Sequence, residues 1–245
     1  MLKGERKMSD KWQDIWSEKK QIKGENISLE NLIKANGFDT GVGSYTSNSW
    51  KKMVVDFCNR VQIKDTDNVV EIGCGSGAFI YAVNDICKAN WYGVDYSESQ
   101  IKSATNAIPN GTFVVDEARN LNFSETVFDV VFSHSVFQYF PNKDYAMEVL
   151  QVWCSKLKTN GYLVLLDIND IKNEQTYHSE RAKEYRSQEE YEKNYEGLSH
   201  LFFDKNELTD FLTSIGMLAF EFFPHKVSNH GNAKFRFNLI CKKNT

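Results

Sequence analysis

The chain has 245 residues, 41% hydrophobic and 13% aromatic, with 29 lysines and arginines against 33 acids and a formal net charge of −4. That is enough apolar material for one α/β domain with appendages, and the acidic balance offers no basic footprint for a nucleic acid and favours a small-molecule partner. No apolar run reaches the length of a membrane span, the charged start Met1–Lys7 lacks the apolar stretch of a secretory signal, and five cysteines without a C-x-x-C spacing argue against a disulfide framework or zinc site. A reduced, cytoplasmic chain is expected.

Residues 1–10 read as a polar tail. Trp12, Ile15 and Trp16 then put an aromatic stripe on a short helix over Lys11–Lys19. The segment Gly37–Tyr45 is glycine-rich and is expected to be a flexible loop outside the core. The run Thr46–Ser49 supplies good N-cap residues for a helix Trp50–Val61 with Met53, Val54 and Phe57 on its apolar face.

The stretch that organises the chain follows. Val69, Val70 and Ile72 form a short buried strand, Gly73, Gly75 and Gly77 a loop, and Phe79, Ile80, Val83, Ile86 and Cys87 a helix. Glycine lets such a loop take positive φ and lets a ligand lie against backbone N–H groups at a helix N-terminus. Within the loop, Cys74 reads as a small residue that fits the turn. A second strand, Trp91–Val94, ends at Asp95, where a carboxylate can accept from the two hydroxyls of a ribose. Ser97 is the expected cap of a helix that runs to about Ile108, before Pro109-Asn110-Gly111. The third strand, Thr112–Val115, ends at Asp116-Glu117-Ala118, beside the same crevice. Phe128–Ser133 is a fourth strand leading to His134, and Lys143–Leu157 is a helix. Asn160-Gly161 turns it into a fifth strand, Tyr162–Leu166, followed by Asp167, Asn169 and Asp170. Residues 171–200 interrupt the alternation with one or two charged, tyrosine-rich helices. Asp204 caps a helix Asn206–Ile215, and Met217–Phe223 and Phe235–Cys241 are the last two strands. The alternation predicts a parallel sheet with right-handed crossovers. The short connection at the end forces an antiparallel hairpin.

Gly73, Gly75 and Ala78 fit the G-x-G-x-x-G/A dinucleotide fingerprint, so an NAD(P)-dependent oxidoreductase is one reading. The additional Gly77 and Glu71 produce E-x-G-x-G-x-G, which resembles motif I of the class I S-adenosylmethionine (SAM) dependent methyltransferases. The resemblance continues through most of the chain after about residue 45: F-D-V-V-F-S is similar to that family's fourth strand, and K-L-K-T-N-G-Y-L-V-L to its helix, turn and fifth strand. The Tyr-x-x-x-Lys pair of the common short-chain NAD enzymes is not offered: Tyr139 is followed by Lys143 only across Pro141.

The resemblance implies a Rossmann-like, doubly wound sheet of seven strands, mostly parallel with a C-terminal antiparallel hairpin and helices on both faces. It implies SAM as cofactor, with Glu71, Gly73, Gly75, Gly77, Asp95, Tyr96, Asp116, Glu117, Ala118 and Ser133 around it and Asp116 accepting from the adenine amino group. It further implies a tryptophan-bearing lid (Trp12, Trp16) and a contact from Tyr45 near the methionine end. Residues 1–45 are then a helical lid with a glycine-rich loop, 46–245 the core, and 170–203 an insert roofing the acceptor. Tyr139, Asn169, His178, Tyr195 and His230 are candidate acceptor contacts. His134 is the first candidate general base, since histidine titrates near neutrality, and His200 the second, followed by Asp167, Asn169 and Asp170. No H-x-x-E-H, aspartate pair or Cys/His cluster suggests a metal, and none is expected. The expected reaction is methyl transfer to oxygen or nitrogen of a small metabolite of the sugar or natural-product tailoring type, the last by analogy. A non-catalytic SAM-binding partner subunit, with the tryptophan stripe as an interface, is the other alternative. Monomer and homodimer both stay open.

Overall fold

The computed structural model describes residues 8–39, 43–123, 126–225, 227 and 230–244, with backbone alone for 8–10 and 13. The expectation of a loose tail over 1–10 therefore falls largely outside the described residues, but Met8–Ser17 form α1, starting three residues earlier than the tryptophan spacing suggests.

Seven strands form one sheet in the order β3-β2-β1-β4-β5-β7-β6. They are β1 Asn68–Ile72, β2 Asn90–Asp95, β3 Thr112–Val115, β4 Phe128–His134, β5 Leu157–Asn169, β6 Met217–Pro224 and β7 Arg236–Lys243. The first five run parallel, and β7 lies antiparallel between β5 and β6. This matches the expected parallel sheet closed by a hairpin. It departs from the all-parallel 3-2-1-4-5-6 order of dinucleotide-binding folds. Val70 and Ile72 on one face and Val69 on the other are fully buried, because helices cover both sides of the sheet. On one face, α6 (Lys143–Ser155) and α9 (Lys205–Ser214) contribute Leu150, Trp153, Leu208 and Leu212. On the other, α3 (Ser47–Val61) and α4 (Ala78–Val83) contribute Trp50, Phe57, Phe79 and Ile80.

Several local expectations change. A helix α2 (Leu29–Ala35), capped by Ser28 accepting from the Asn31 N–H, was not anticipated; its Leu32 and Ile33 join the core of α3 and α4. The glycine-rich segment is no simple flexible loop, since Tyr45 is buried and Phe38 packs edge-on against it, although 40–42 lie outside the described residues. The helix after it begins at Ser47, with a capping box between Thr46 and Ser49. The helix after the glycine loop stops at Val83 and does not reach Cys87. Ser97 occupies the N-cap of α5 (Glu98–Ala107) without capping it through its hydroxyl; Asp95 Oδ1 accepts from the Ser97 N–H at 2.9 Å instead. The turn expected at Asn160-Gly161 is absorbed into β5, with Asn160 at φ +62°. The insert forms α7 (Glu174–Ala182) and α8 (Gln188–Tyr195). Asp204 caps α9 as expected, accepting from Asn206 and Glu207. Among the described residues no helix is long and apolar enough to cross a membrane.

Candidate active site

The sheet order reverses at β1, where the chain leaves toward β2 and later returns beside it as β4. Open α/β sheets bind ligands in the crevice at such a point, and here a cavity of about 620 Å³ lies over the strand ends. Its floor is the glycine loop. Gly73 takes φ +72°, and a Cβ there would stand 2.4 Å from Val136 Cγ2; Gly75 takes φ +52° with the Asn36 amide oxygen 2.5 Å from the same imagined atom. Any side chain would be strained by backbone and crowded by neighbours. The loop is clamped by α2: Asn36 Oδ1 accepts from the Ser76 N–H at 2.8 Å, and the Ser76 hydroxyl donates to the Leu32 carbonyl at 2.9 Å.

At the end of β2, the Asp95 carboxylate accepts from Gly75 N–H through one oxygen and Ser97 N–H through the other, both at 2.9 Å. Burial raises its pKa to about 6 against those two donors. Glu71 is buried beside it, and burial together with the Asp95 charge pushes its pKa well up. Asp116 is more open: burial raises its pKa, but Asn120, the Glu117 N–H and Asn122 together outweigh this and hold it below the usual value. Of the expected donor residues, Glu71, Gly73, Gly75, Asp95, Tyr96, Asp116, Glu117, Ala118 and Trp16 line the cavity. Gly77 does not; it is the left-handed N-cap of α4, pressed against Ala104 and Ile108. Ser133 is fully buried in β4 off the cavity wall. Tyr45 also lies off the wall, stacked on His230 at 4.3 Å with its hydroxyl 3.3 Å from His225 Nε2.

The far end of the cavity is aromatic. His134, the last residue of β4, reaches the wall from a cage of Phe38, Tyr45, Trp50 and Phe79. Burial lowers its pKa to about 3, so the imidazole is neutral. Tyr139 lines the cavity, with its pKa raised by burial to about 12. Trp12 lines it as well and stacks on His200 at 5.1 Å while meeting Tyr139 edge-on at 4.8 Å. His200 stands behind Trp12 and Tyr139, its Nδ1 3.0 Å from the Tyr177 hydroxyl, and burial takes its pKa to about 3 as well. His178 is bonded to the Tyr191 hydroxyl and Tyr195 to Arg181, both inside the insert and away from the cavity. Asn169 is buried, donating to the Leu201 carbonyl at 3.0 Å. Among the described residues six acids line the cavity, Glu71, Asp95, Asp116, Glu117, Asp144 and Glu148, against one lining cation, Arg119. Aromatic faces and acids together favour a ligand that carries positive charge.

Behind His134 lies a second polar group. Asp167 takes φ +65° at a break in register between β5 and β7. Its N–H donates to Asn238 Oδ1 at 2.8 Å, and its carboxylate pairs with the buried guanidinium of Arg236. Burial would raise the Asp167 pKa, but Arg236, then His225 and His230, hold it well below the usual carboxylate range. Sequence reading placed Asp167 only among lesser base candidates and missed Arg236 and His225. It also missed Asn36, Phe38 and Trp50, which reach the cavity through α2 and α3. A polar Asn36 directly after the apolar face of α2 was the available signal.

A family model described as a methyltransferase domain matches residues 63–215. The 2-methyl-6-phytyl-1,4-hydroquinone methyltransferase of Synechocystis sp. is 33% identical over 111 residues, covering 44% of this chain and 34% of the relative. The (S)-coclaurine N-methyltransferase of Thalictrum flavum subsp. glaucum is 24% identical over 114 residues, covering 41% and 29%. These matches thus span about a third of the curated relatives' length. The crystal structure of magnesium protoporphyrin IX methyltransferase from Synechocystis PCC 6803 with bound SAM superposes with a TM-score of 0.61 at 12% identity, covering 99% of this chain and 100% of that one.

Proposed function

Because the chain belongs to the class I SAM-dependent methyltransferases, with SAM as cofactor, we propose that it methylates an oxygen or nitrogen of a small metabolite of the kind modified in sugar or natural-product tailoring. The observation that carries this reading is one cavity that extends from Asp116 and Asp95 past the glycine loop to His134 and Tyr139. In this arrangement Asp95 accepts from the ribose hydroxyls, Asp116 from the adenine amino group, and the sulfonium lies among acids and rings at the aromatic end. That the relatives include a hydroquinone methyltransferase and a coclaurine N-methyltransferase supports a small, ring-bearing substrate.

The reaction is an in-line displacement. A lone pair on the acceptor forms the bond to the methyl carbon while the carbon–sulfur bond breaks and its pair stays on sulfur as the thioether; the acceptor's proton leaves to water. Alignment of donor and acceptor is the main contribution, and such geometry can be worth about 7–11 kcal/mol. Trp12 and Trp16 on α1 close the cavity mouth as a lid. The insert of α7 and α8 supports that lid from behind through Tyr177 and His200, which reassigns His178 and Tyr195 from substrate contact to scaffold.

Calorimetric titration with S-adenosylhomocysteine, with NAD as control, tests the donor half. Micromolar binding of the first and none of the second is expected; the reverse overturns the reading. Turnover of His134→Ala on a panel of phenols, amines and sugar nucleotides tests the acceptor half. Lost turnover with retained donor affinity supports His134 as a positioning contact for the acceptor on the cavity wall, and unchanged turnover removes it from the acceptor site.

A further inference from the structure

Three of the five histidines of the chain gather around one carboxylate just outside the donor cavity. One ligand atom each from His134, Asp167 and His225 lie within 4.8 Å of one another. His225 Nε2 is 3.1 Å from Asp167 Oδ1, and His230 Nε2 is 3.6 Å from that same oxygen. All four side chains are buried.

The geometry points to a binding site for one divalent transition-metal ion of the zinc class, held by His134, Asp167 and His225, with His230 within reach as a fourth ligand. The site is independent of the donor assignment, and it adds to the proposed reaction an ion seated behind the acceptor end.

Four observations carry it. The first is unsatisfied lone-pair capacity. His134 Nε2 and both ring nitrogens of His230 find no hydrogen-bond partner among the described residues, and Asp167 Oδ1 sits at ion-pair distance from His225 but off the direction of a good hydrogen bond. Buried polar atoms rarely go without partners, and an unfilled ion position is one reason they do.

The second observation is placement. His134 ends β4, Asp167 sits at the break in β5, and His225 directly follows β6, so three sheet strands hold the ligands rigidly. The third is the surrounding shell. Arg236 grips the other carboxylate oxygen and Asn238 accepts from the Asp167 N–H, the kind of outer contacts that orient metal-bound carboxylates.

The fourth is charge. Arg236 cancels Asp167, so a divalent ion among these groups carries the same formal charge as one in a three-histidine zinc site. Two or three imidazoles with one carboxylate oxygen suit zinc, cobalt or nickel; magnesium and calcium demand oxygen shells. His134 is shared between this group and the cavity wall. A bound ion would therefore fix the imidazole that faces the acceptor.

The test uses the full chain, treated with a chelator, equilibrated with Co²⁺ and freed of excess. About one Co²⁺ per chain, with visible absorption of low-symmetry coordination and displacement by Zn²⁺, is expected, and X-ray absorption of the loaded wild-type chain should contain imidazole scattering. His225→Gln and His134→Gln should each weaken Co²⁺ binding by about 100-fold, the scale on which losing even an outer contact lowers metal affinity. No retained Co²⁺ in the wild-type chain, an all-oxygen shell, or equal retention in folded variants overturns the proposal and leaves a His–Asp–Arg hydrogen-bonded network. Titration of the same samples with S-adenosylhomocysteine keeps the two questions apart: donor binding without Co²⁺ binding defeats only the metal site, and Co²⁺ binding without donor binding defeats only the cofactor assignment.

Discussion

The two ends of the cavity are built in opposite ways. At the donor end the groups that would touch a ligand come from three short consecutive units, β1 with its glycine loop, β2 with Asp95, and β3 with Asp116, and much of the contact is backbone. At the acceptor end they are side chains from α1, α3, β4 and the turn after it, backed by β5, β7 and the loop before β7. A ligand held by backbone needs glycines and a strand-end acid at set spacing. One held by side chains needs only that distant positions meet.

This contrast can be broken most severely at its acceptor side. Replacing Arg236 with Met strips the buried Asp167 of its guanidinium partner and leaves it only His225 and His230, and removing one partner of such a pair costs about 3–5 kcal/mol. Urea unfolding should register that loss; a change below about 1 kcal/mol would mean that the pair is solvated in solution.

At the donor side the effect falls on binding more than on folding. Asp95→Asn should weaken S-adenosylhomocysteine by about 10–100-fold, the value of hydrogen bonds to a charged acceptor, with a folding loss of about 1–3 kcal/mol because the amide nitrogen cannot accept from one of the two backbone N–H groups that the carboxylate holds. A folding loss matching that of Arg236→Met would erase the contrast.

The raised pKa of Asp95 sharpens it further. In the ligand-free chain the carboxyl titrates near 6, above its ordinary 3.8. The folded state therefore holds more protons than the unfolded state between those values, and stability contributed by this group falls as pH rises from about 4 to 6. Glu71 acts in the same direction. Ribose hydroxyls favour the charged form, so donor affinity should climb with pH through 6 and level off above it, by up to about tenfold per unit on the acid side. Calorimetry at pH 5, 6, 7 and 8 measures this, and a flat profile would show that Asp95 is not the ribose acceptor.

The smallest expected effect is at the lid. Trp12→Leu removes a stacked contact with His200 and an edge contact with Tyr139, worth about 0.5–1.5 kcal/mol. Donor affinity should fall about three- to tenfold, with faster release in stopped-flow fluorescence.

The periodicities were legible wherever a segment is covered on both faces. Asn68–Ile72, Asn90–Asp95 and Phe128–His134 fall within a residue or two of their expected places because an apolar β-branched or aromatic run there has no other use, and the half-exposed edge strand Thr112–Val115 was marked instead by Pro109-Asn110-Gly111 before it. The misses have physical causes. The seven-residue α2 has too few turns to display a period, and its Ser28 cap, a single local signal, was not read as one. The Asn160-Gly161 pair resembled a turn and does stand where pairing breaks: on β4 the register jumps from Leu157 opposite Phe128 to Tyr162 opposite Val130, and pairing with β7 begins only at Tyr162, so the extended chain resumes directly after Asn160 at φ +62°. Tyr45 looked like part of a loose loop, since nothing nearby in sequence reveals the rings of Phe38, Trp50 and His230 that enclose it.

From sequence alone came the parallel sheet with its closing hairpin, the glycine loop and the two strand-end acids, since local backbone conformation and strand burial depend on neighbours a few residues away. The tertiary structure alone decided which histidines meet. His134, Asp167, His225 and Arg236 are spread over about a hundred positions and share no short spacing, and they converge only because the sheet order sets β4, β5, β7 and β6 side by side.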